Sequence, residues 1–189
     1  FLMPISEVKC CDCMDFMKQF PDKFFDLAIV DPPYGIDFAR TYTGKGWVVR
    51  KSKDWDKHPP TKEYFIELFR VSNNQIVWGA NFMTEHLPPS MGWIFWDKGQ
   101  RNFSLADGEL AWTSFKRVLR VFDFPRAYAN QEDKIHPTQK PVALYVWLLQ
   151  NYAKPGDKIL DTHMGSQSSR IAAWKMGFDY WGCEIDQEY

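Results

Sequence analysis

A short apolar run that stops at a carboxylate and two prolines constrains this chain more than any other stretch. Residues 27–30 read Leu-Ala-Ile-Val, and Asp31, Pro32, Pro33 and Tyr34 follow directly. A continuous apolar run of this length is typical of a strand covered on both faces, as in a parallel sheet between helices. Proline has no N–H to donate to a sheet, so pairing ends there. The pattern predicts an α/β fold with Asp31 at the carboxyl edge of the sheet, where such folds bind ligands.

The residues that end this run could hold an amino group on a flat ring. The carboxylate of Asp31 and the carbonyl of a proline both accept hydrogen bonds, and the ring of Tyr34 offers a stacking face. Such stacking is worth about 1–3 kcal/mol per base. Together these groups suit the exocyclic amine of a nucleobase turned out of its helix. The same residues could also be no more than a strand end and a turn.

The string Asp31-Pro32-Pro33-Tyr34 resembles the catalytic motif of amino-group DNA methyltransferases, which use S-adenosylmethionine. The resemblance implies that all four residues are catalytic and hold the target base. It also favours the N6 amine of adenine, because relatives that methylate the N4 amine of cytosine usually have serine in place of Asp31.

Composition indicates one globular domain over residues 1–189. The chain is 45% hydrophobic and 25% charged, which is ordinary for a soluble protein of this length. It lacks a cationic, apolar signal sequence, and the apolar run is too short to span a membrane. We therefore expect a cytoplasmic protein with no membrane partner.

Basic residues are concentrated in two segments, although the net charge is only −1. We predict that residues 36–60 and 97–134 face DNA, because basic segments beside a base clamp can follow phosphates. A charge run can also be a simple solvated face. The basic residues of these segments and their immediate surroundings are Arg40, Lys45, Arg50, Lys51, Lys53, Lys57, Lys62, Lys98, Arg101, Lys116, Arg117, Arg120 and Arg126.

The cysteines do not form a convincing metal site. Cys10, Cys11 and Cys13 lie close together in sequence, but Cys183 is distant and no histidine lies near the first three. A tetrahedral zinc site needs a further close ligand. We expect reduced thiols and no bound metal.

Hydrophobic patterns predict alternating strands and helices along the rest of the chain. The predicted strands cover residues 7–10, 25–30, 75–78, 92–96, 109–115, 117–122, 158–160 and 180–183. The predicted helices cover residues 14–20, 61–71 and 142–153 and a segment that begins near Arg170. The strands at 109–115 and 117–122 lie close enough in sequence to suggest a hairpin.

The last two strands predict a nucleotide-binding edge. Asp161 ends one strand and precedes a loop of small residues and then a helix, an arrangement that presents backbone N–H groups to a ligand. Glu184 ends the next strand, where a carboxylate can take the hydroxyls of a ribose.

The order of these parts resembles the permuted "beta" group of S-adenosylmethionine-dependent amino-methyltransferases, and the string at residues 136–141, His-Pro-Thr-Gln-Lys-Pro, is the most diagnostic match. The resemblance implies a Rossmann-like methyltransferase sandwich of three layers, with a mostly parallel sheet and a circularly permuted motif order. It implies S-adenosylmethionine as the cofactor. Thr138 and Lys140 would contact its methionine end. The remaining implied cofactor residues are Asp161, Met164, Gly165 and Ser166 at the same end, Glu184 at the ribose and Asp12 at the adenine amine.

The cofactor loop departs from the family pattern. Thr162 and His163 replace Pro-Phe, Gln167 replaces a glycine, and Ser168-Ser169 replaces Thr-Thr. The side chain of Gln167 could narrow the pocket, because the cradle often needs a residue without one. We expect His163 to be a polar substitute in the pocket wall.

Together these features predict a site-specific methyltransferase that acts on the N6 amine of adenine in double-stranded DNA. A restriction endonuclease, as in restriction-modification systems, and a second copy of the chain are candidate partners. Three alternatives stay open: a cytosine-N4 DNA methyltransferase, an RNA methyltransferase, and a DNA-binding or cofactor-sensing module that has lost catalysis.

Overall fold

A computed structural model describes residues 3–36, 58–102, 106–125, 128 and 139–187. The strands are β1 Ser6–Cys10, β2 Phe25–Val30, β3 Ser72–Trp78, β4 Trp93–Asp97, β5 Gly108–Thr113, β6 Arg120–Asp123, β7 Lys158–Asp161 and β8 Asp179–Glu184. The α-helices are α1 Cys13–Met17, α2 Lys62–Val71, α3 Val142–Tyr152 and α4 Ser168–Met176. Two short 3-10 turns, Ala80–Phe82 and Thr84–His86, follow β3.

The strands form one sheet in the order β1-β8-β7-β2-β3-β5-β4-β6. β5 is antiparallel to both of its neighbours, and all other neighbouring pairs are parallel. The late strands β7 and β8 lie between the early strands β1 and β2. The mostly parallel α/β sheet is therefore confirmed, and its last strands in sequence occupy positions near its middle.

Strand β2 is covered on both faces, as its unbroken apolar run predicts. Leu27 and Ile29 pack in the same cluster as Leu148 of α3. Ala28 and Val30 pack in the opposite cluster, which includes Phe65 of α2. Since alternate residues of a strand point to opposite faces, the sheet forms the middle layer of three.

The predicted hairpin between the segments that become β5 and β6 is wrong. Both strands pair with β4 instead, β5 antiparallel and β6 parallel to it. The chain does not fold back at Ser114 because this residue continues along β3: its N–H donates to the Gln75 carbonyl at 3.0 Å, and its hydroxyl accepts from the Gln75 N–H at 2.9 Å. β4 therefore lies between the two strands.

The parallel register brings three predicted site carboxylates to one edge of the sheet. Ala28 of β2 pairs with Leu160 of β7, and Asp161 pairs with Gly182 of β8. Asp31 follows the end of β2, and Asp161 and Glu184 end β7 and β8. All three residues thus lie at the carboxyl ends of adjacent strands.

Neither a membrane-spanning helix nor a metal cluster is found in the described part of the chain. None of its helices is long and apolar enough to cross a membrane. No group of three or more histidine, cysteine, aspartate or glutamate side chains is arranged there to hold a metal ion.

Candidate active site

The carboxylate of Asp31 is held from both sides where β2 ends. Its Oδ2 accepts a hydrogen bond from Lys140 Nζ at 2.5 Å, and its Oδ1 accepts from the Tyr34 hydroxyl at 2.7 Å. Tyr34 is close to Asp31 in sequence, whereas Lys140 comes from the segment before α3. The structure thus brings together two of the predicted catalytic residues and one predicted cofactor residue.

Lys140 is buried, and its ammonium group lies among three acceptors. Its Nζ is 2.5 Å from Asp31, 3.0 Å from Glu109 Oε2 and 3.2 Å from the Tyr34 hydroxyl. Burial by itself lowers the pKa of Lys140, but the two carboxylates raise it above its ordinary value. An ammonium has three N–H donors, so Lys140 is fully committed here, and its contact with a cofactor stays a prediction.

Glu109 is a site residue that the sequence reasoning missed. It lies on β5, and its Oε1 accepts from Lys98 while its Oε2 accepts from Lys140. Burial would raise the pKa of Glu109, but Lys140 and Lys98 lower it to about 2. The only signal in the sequence was a carboxylate inside a segment predicted to be a strand.

The ring of Tyr34 is packed between two residues that follow β3. It stacks on Phe82 with the ring centroids 5.3 Å apart and the planes 15° from parallel. Gly79, at φ +66°, lies so close that any β-carbon would overlap the Tyr34 ring. Burial and the nearby Asp31 raise the pKa of Tyr34 well above its ordinary value, so its hydroxyl remains a donor. Phe82, which the sequence did not mark, is 48% exposed.

Asp161 shapes the loop between β7 and α4. Its side chain is buried; Oδ1 accepts from the His163 N–H at 3.0 Å, and Oδ2 accepts from the Ser169 hydroxyl at 2.6 Å. Burial raises the pKa of Asp161 to about 7. The carboxylate therefore fixes both ends of the loop, and a direct cofactor contact stays a prediction.

Glu184 ties this loop to the neighbouring strand. Its Oε2 accepts from the Gly165 N–H at 2.9 Å, and its Oε1 accepts from the N–H groups of Ile185 and Asp186 at 2.9 and 3.1 Å. Met164 adds a second tie, because its N–H donates to the Cys183 carbonyl at 3.2 Å. A carboxylate has about four acceptor positions, so Glu184 keeps one open.

Asp12 lies beside Glu184 at the same edge. Its Oδ1 caps α1 by accepting from the Met14 N–H at 2.7 Å. The N–H of the preceding residue, Cys11, donates to the Glu184 carbonyl at 3.0 Å. The two segments that carry the carboxylates predicted to hold the adenosine part of a cofactor are therefore joined by a backbone hydrogen bond.

His163 is an uncharged residue of this loop. Its Nδ1 is 2.9 Å from Thr162 Oγ1, which is 2.7 Å from the Tyr64 hydroxyl. Burial lowers the pKa of His163 to about 4, and Asp12 opposes this shift. The two departures Thr162 and His163 thus form one hydrogen-bonded chain with Tyr64 of α2.

Gln167 has the left-handed backbone that a glycine would adopt most easily. Its φ is 62°, and its Oε1 accepts from Arg170 Nη1 at 2.8 Å. This contact directs the side-chain oxygen toward α4. Ser166 contributes a hydroxyl 3.0 Å from that of Ser168.

Some predicted residues lie outside the described part of the chain. These include Thr138 with its neighbours His136 and Pro137, most of the segment 36–60, and parts of the segment 97–134. The described part of the second segment contributes β5 and β6 to the sheet and Glu109 to the site. The predicted contact of both segments with DNA is therefore still a prediction.

Comparison with known proteins points to DNA methyltransferases. Residues 111–189 match the N6/N4 family of DNA methylases. The chain is 21% identical to the type II methyltransferase M1.MboII of Moraxella bovis, over 100% of this chain and 95% of that protein. It is 25% identical to M.HinfI of Haemophilus influenzae, over 94% of this chain and 64% of that protein.

Two solved structures share the fold. The complex of M1.HpyAVI with SAM has a TM-score of 0.61 at 20% identity and covers 97% of this chain and 95% of its own. The cytosine-N4-specific PvuII DNA methyltransferase has a TM-score of 0.62 at 12% identity and covers 99% and 85%. The Rossmann-like methyltransferase fold predicted from the sequence is therefore confirmed.

We predict that Gly79→Ala destabilises the protein more than Gly177→Ala does. Both glycines have positive φ, but a β-carbon at Gly79 overlaps Tyr34, whereas one at Gly177 meets nothing within 4 Å. Backbone strain alone costs about 1–2 kcal/mol, and overpacking adds about 1–3 kcal/mol. Urea unfolding of the two variants measures the difference, and equal losses would contradict the close packing at Tyr34.

We predict that Asp161 makes the protein less stable as the pH rises from about 4 to 7. Its pKa is about 7 in the folded chain and about 3.9 in an unfolded chain. The stability it contributes is complete below the lower pKa and is lost as the pH rises through the higher one. Asp161→Asn, which cannot ionise, is the reference. The free energy of unfolding of the wild type should fall relative to this variant across that window; a constant difference would contradict the shift.

Proposed function

We propose that this protein is an S-adenosylmethionine-dependent DNA methyltransferase that acts on the N6 amine of an adenine turned out of the duplex. One observation carries the proposal: the Asp31 and Tyr34 clamp lies at the same sheet edge as the loop tied to Glu184. The family match of residues 111–189 and the whole-length likeness to type II methyltransferases support it.

The residues of the loop edge fit the proposed cofactor. Glu184 keeps an acceptor position for a ribose hydroxyl, and Asp12 uses only Oδ1 for its helix cap, so both can accept from an adenosine group. Gly165 and Met164 would form the backbone wall, and Asp161 would hold that wall in shape. When bound, S-adenosylmethionine would supply an activated methyl group; its carbon–sulfur bond would break as the new N–C bond forms, with S-adenosylhomocysteine as the leaving group.

Asp31 would make the amine a better nucleophile. The lone pair of an adenine amino nitrogen is delocalised into the ring. A carboxylate and a proline carbonyl that accept its two N–H bonds would pull the nitrogen toward tetrahedral geometry and localise that lone pair. In the described part of the chain, each oxygen of Asp31 has one hydrogen-bond partner and room for another, so the carboxylate can accept an N–H without losing Lys140 or Tyr34.

No strong base is needed before the methyl arrives. The nitrogen becomes acidic only as the new N–C bond forms, and Asp31 is then in position to take the proton. Lys140 balances the negative charge of Asp31 until that point. Holding the two reactants in place supplies much of the remaining acceleration, up to about 7–11 kcal/mol in effective concentration.

Tyr34 would hold the base by stacking, at a surface that Phe82 covers in this structure. Phe82 ends a short 3-10 turn and is 48% exposed, so its ring can move without opening the core. A base that replaces Phe82 against Tyr34 brings its amine toward Asp31. The cost of turning the base out is a few kcal/mol, and stacking recovers part of it.

Cytosine N4 methylation is the second candidate. PvuII methyltransferase, which is cytosine-N4-specific, has the same fold, and the matching family covers both amines. Asp31 favours adenine, because serine usually stands there in cytosine-N4 relatives. A restriction endonuclease partner and a homodimer remain part of the proposal.

Transfer of a labelled methyl group from S-adenosylmethionine to mixed-sequence duplex DNA, followed by nucleoside analysis, tests the proposal. We expect label in N6-methyladenine. Label in N4-methylcytosine would favour the second candidate, and label in structured RNA alone would exclude DNA as the substrate. Cofactor binding measured by calorimetry without any transfer would indicate a sensing module.

We predict that Asp31→Ala abolishes methyl transfer but leaves S-adenosylmethionine binding nearly unchanged, because Asp31 contacts the amine and not the loop tied to Glu184. Asp22→Ala is a matched control, since Asp22 is exposed and, in the described part of the chain, its ion-pair partner is Arg70. Turnover and calorimetry are the two measurements. Retained turnover in Asp31→Ala would rule out the clamp.

We predict that Tyr34→Ala weakens DNA binding more than cofactor binding. Loss of one stacked base costs about 1–3 kcal/mol, so KM for DNA should rise about 10- to 100-fold, while the dissociation constant of S-adenosylmethionine changes little. Tyr34→Phe keeps the ring and removes the hydroxyl that donates to Asp31, so it should bind DNA normally and turn over more slowly. Equal losses of DNA and cofactor binding in Tyr34→Ala would argue against stacking.

A further inference from the structure

We propose that Glu109 is a positioning residue for this reaction, which fixes Lys140 and, through Lys140, the catalytic carboxylate of Asp31. The inference rests on the proposed methyl transfer. Glu109 does not hold Tyr34 strongly. Its Oε2 is 3.4 Å from the Tyr34 hydroxyl but 3.0 Å from Lys140 Nζ. Its effect on Asp31 must therefore pass through the ammonium group.

The four charged side chains form an alternating row. Lys98 donates to Glu109, Glu109 accepts from Lys140, and Lys140 donates to Asp31. Side-chain exposures of 15%, 23%, 3% and 17% along this row mean that water screens its charges weakly. Each inner charge has an opposite charge on both sides, so the loss of Glu109 alone would leave an excess positive charge in the row.

Glu109 is well placed to act as the fixed point of this row. It lies inside β5 and pairs in register with Trp96 of β4. Its second oxygen is held by Lys98, whose ammonium also lies 4.9 Å from the centre of the Trp96 ring. A side chain locked by a strand and by a second hydrogen bond holds its partner more accurately than a loop residue does.

In the described part of the chain, the ammonium group of Lys140 is held by side chains from other segments. Lys140 precedes α3, and its ammonium is held by Asp31, Tyr34 and Glu109. Asp31 and Tyr34 would both contact an entering base, whereas Glu109 would not. Without the negative charge of Glu109, Asp31 would be the one remaining carboxylate partner of Lys140 among the described residues. The charge of Lys98 would then repel that of Lys140. Asp31 would then be pulled away from the direction in which it accepts the amine.

The same arrangement predicts that the loss of Glu109 changes the pH dependence of kcat. The titratable groups that face Lys140 are Asp31, Tyr34 and Glu109, and Tyr145 of α3 interacts with both carboxylates. The two carboxylates raise the pKa of Lys140 against the effect of burial. Removing one of them should lower the pKa of Lys140, and its loss of a proton should then end activity at a lower pH.

Glu109→Gln tests the proposal because it keeps the shape of the side chain and removes its charge. We expect kcat for methyl transfer to fall about 10- to 100-fold, the loss expected of a misplaced reacting group, with KM for S-adenosylmethionine unchanged. The alkaline limb of the kcat profile should move to lower pH. Glu67→Gln is the matched control: it breaks the ion pair with Arg70 on α2, far from the clamp, and should alter neither kcat nor its pH profile.

A second variant keeps the test decisive if Glu109→Gln fails to fold. The double variant Lys98→Met/Glu109→Gln removes both charges of the Lys98–Glu109 ion pair, so Lys98 is not left without its partner. It should show the same fall in kcat and the same shift of the alkaline limb. A kcat and pH profile equal to those of Glu67→Gln, in either variant, would overturn the role of Glu109. A wild-type protein that transfers no methyl group would instead overturn the proposed function.

Discussion

The ion pair between Lys140 and Asp31 is the interaction on which the site depends. It joins residues 109 positions apart in the sequence at an N–O distance of 2.5 Å, and so links the end of β2 to the segment that leads into α3. A buried ammonium is tolerated only if its charge is paired and its donors are used. Asp31, Glu109 and the Tyr34 hydroxyl meet that requirement together. The residues that form the proposed base clamp therefore also help to neutralise the buried charge of Lys140.

The sheet places the loop that is proposed to bind the cofactor next to this clamp. β7 lies directly beside β2, and Asp161 fixes both ends of the loop that follows β7, while Glu184 of β8 holds the middle of that loop at Gly165. Asp161 accepts from one backbone N–H and from the Ser169 hydroxyl, and Glu184 accepts from three backbone N–H groups, so the protein's own contacts fix the loop. The proposed base clamp and the proposed cofactor loop thus lie at the carboxyl ends of adjacent strands, although the chain makes one early and the other late.

Local pattern was enough to predict β2, the end of that strand at Pro32, and the strands that deliver Asp161 and Glu184. Each of these depends on neighbours in sequence, such as an apolar run followed by proline. Glu109 and Phe82 could not be predicted in this way, since their roles depend on contacts with Lys140 and Tyr34 across the sheet. The predicted hairpin failed for the same reason: β4, which separates β5 from β6, is not visible in the segment itself.

A crystal structure of the protein with the methyl-donor analogue sinefungin tests the central claim most directly. We predict that the analogue lies against Gly165 and Glu184 and that the amino group standing for the methyl points toward Asp31, leaving room for a base amine about 3–3.5 Å from that amino group. Lys140 should still contact Asp31 and Glu109. An analogue bound elsewhere, or one whose amino group is walled off from Asp31, would contradict the account.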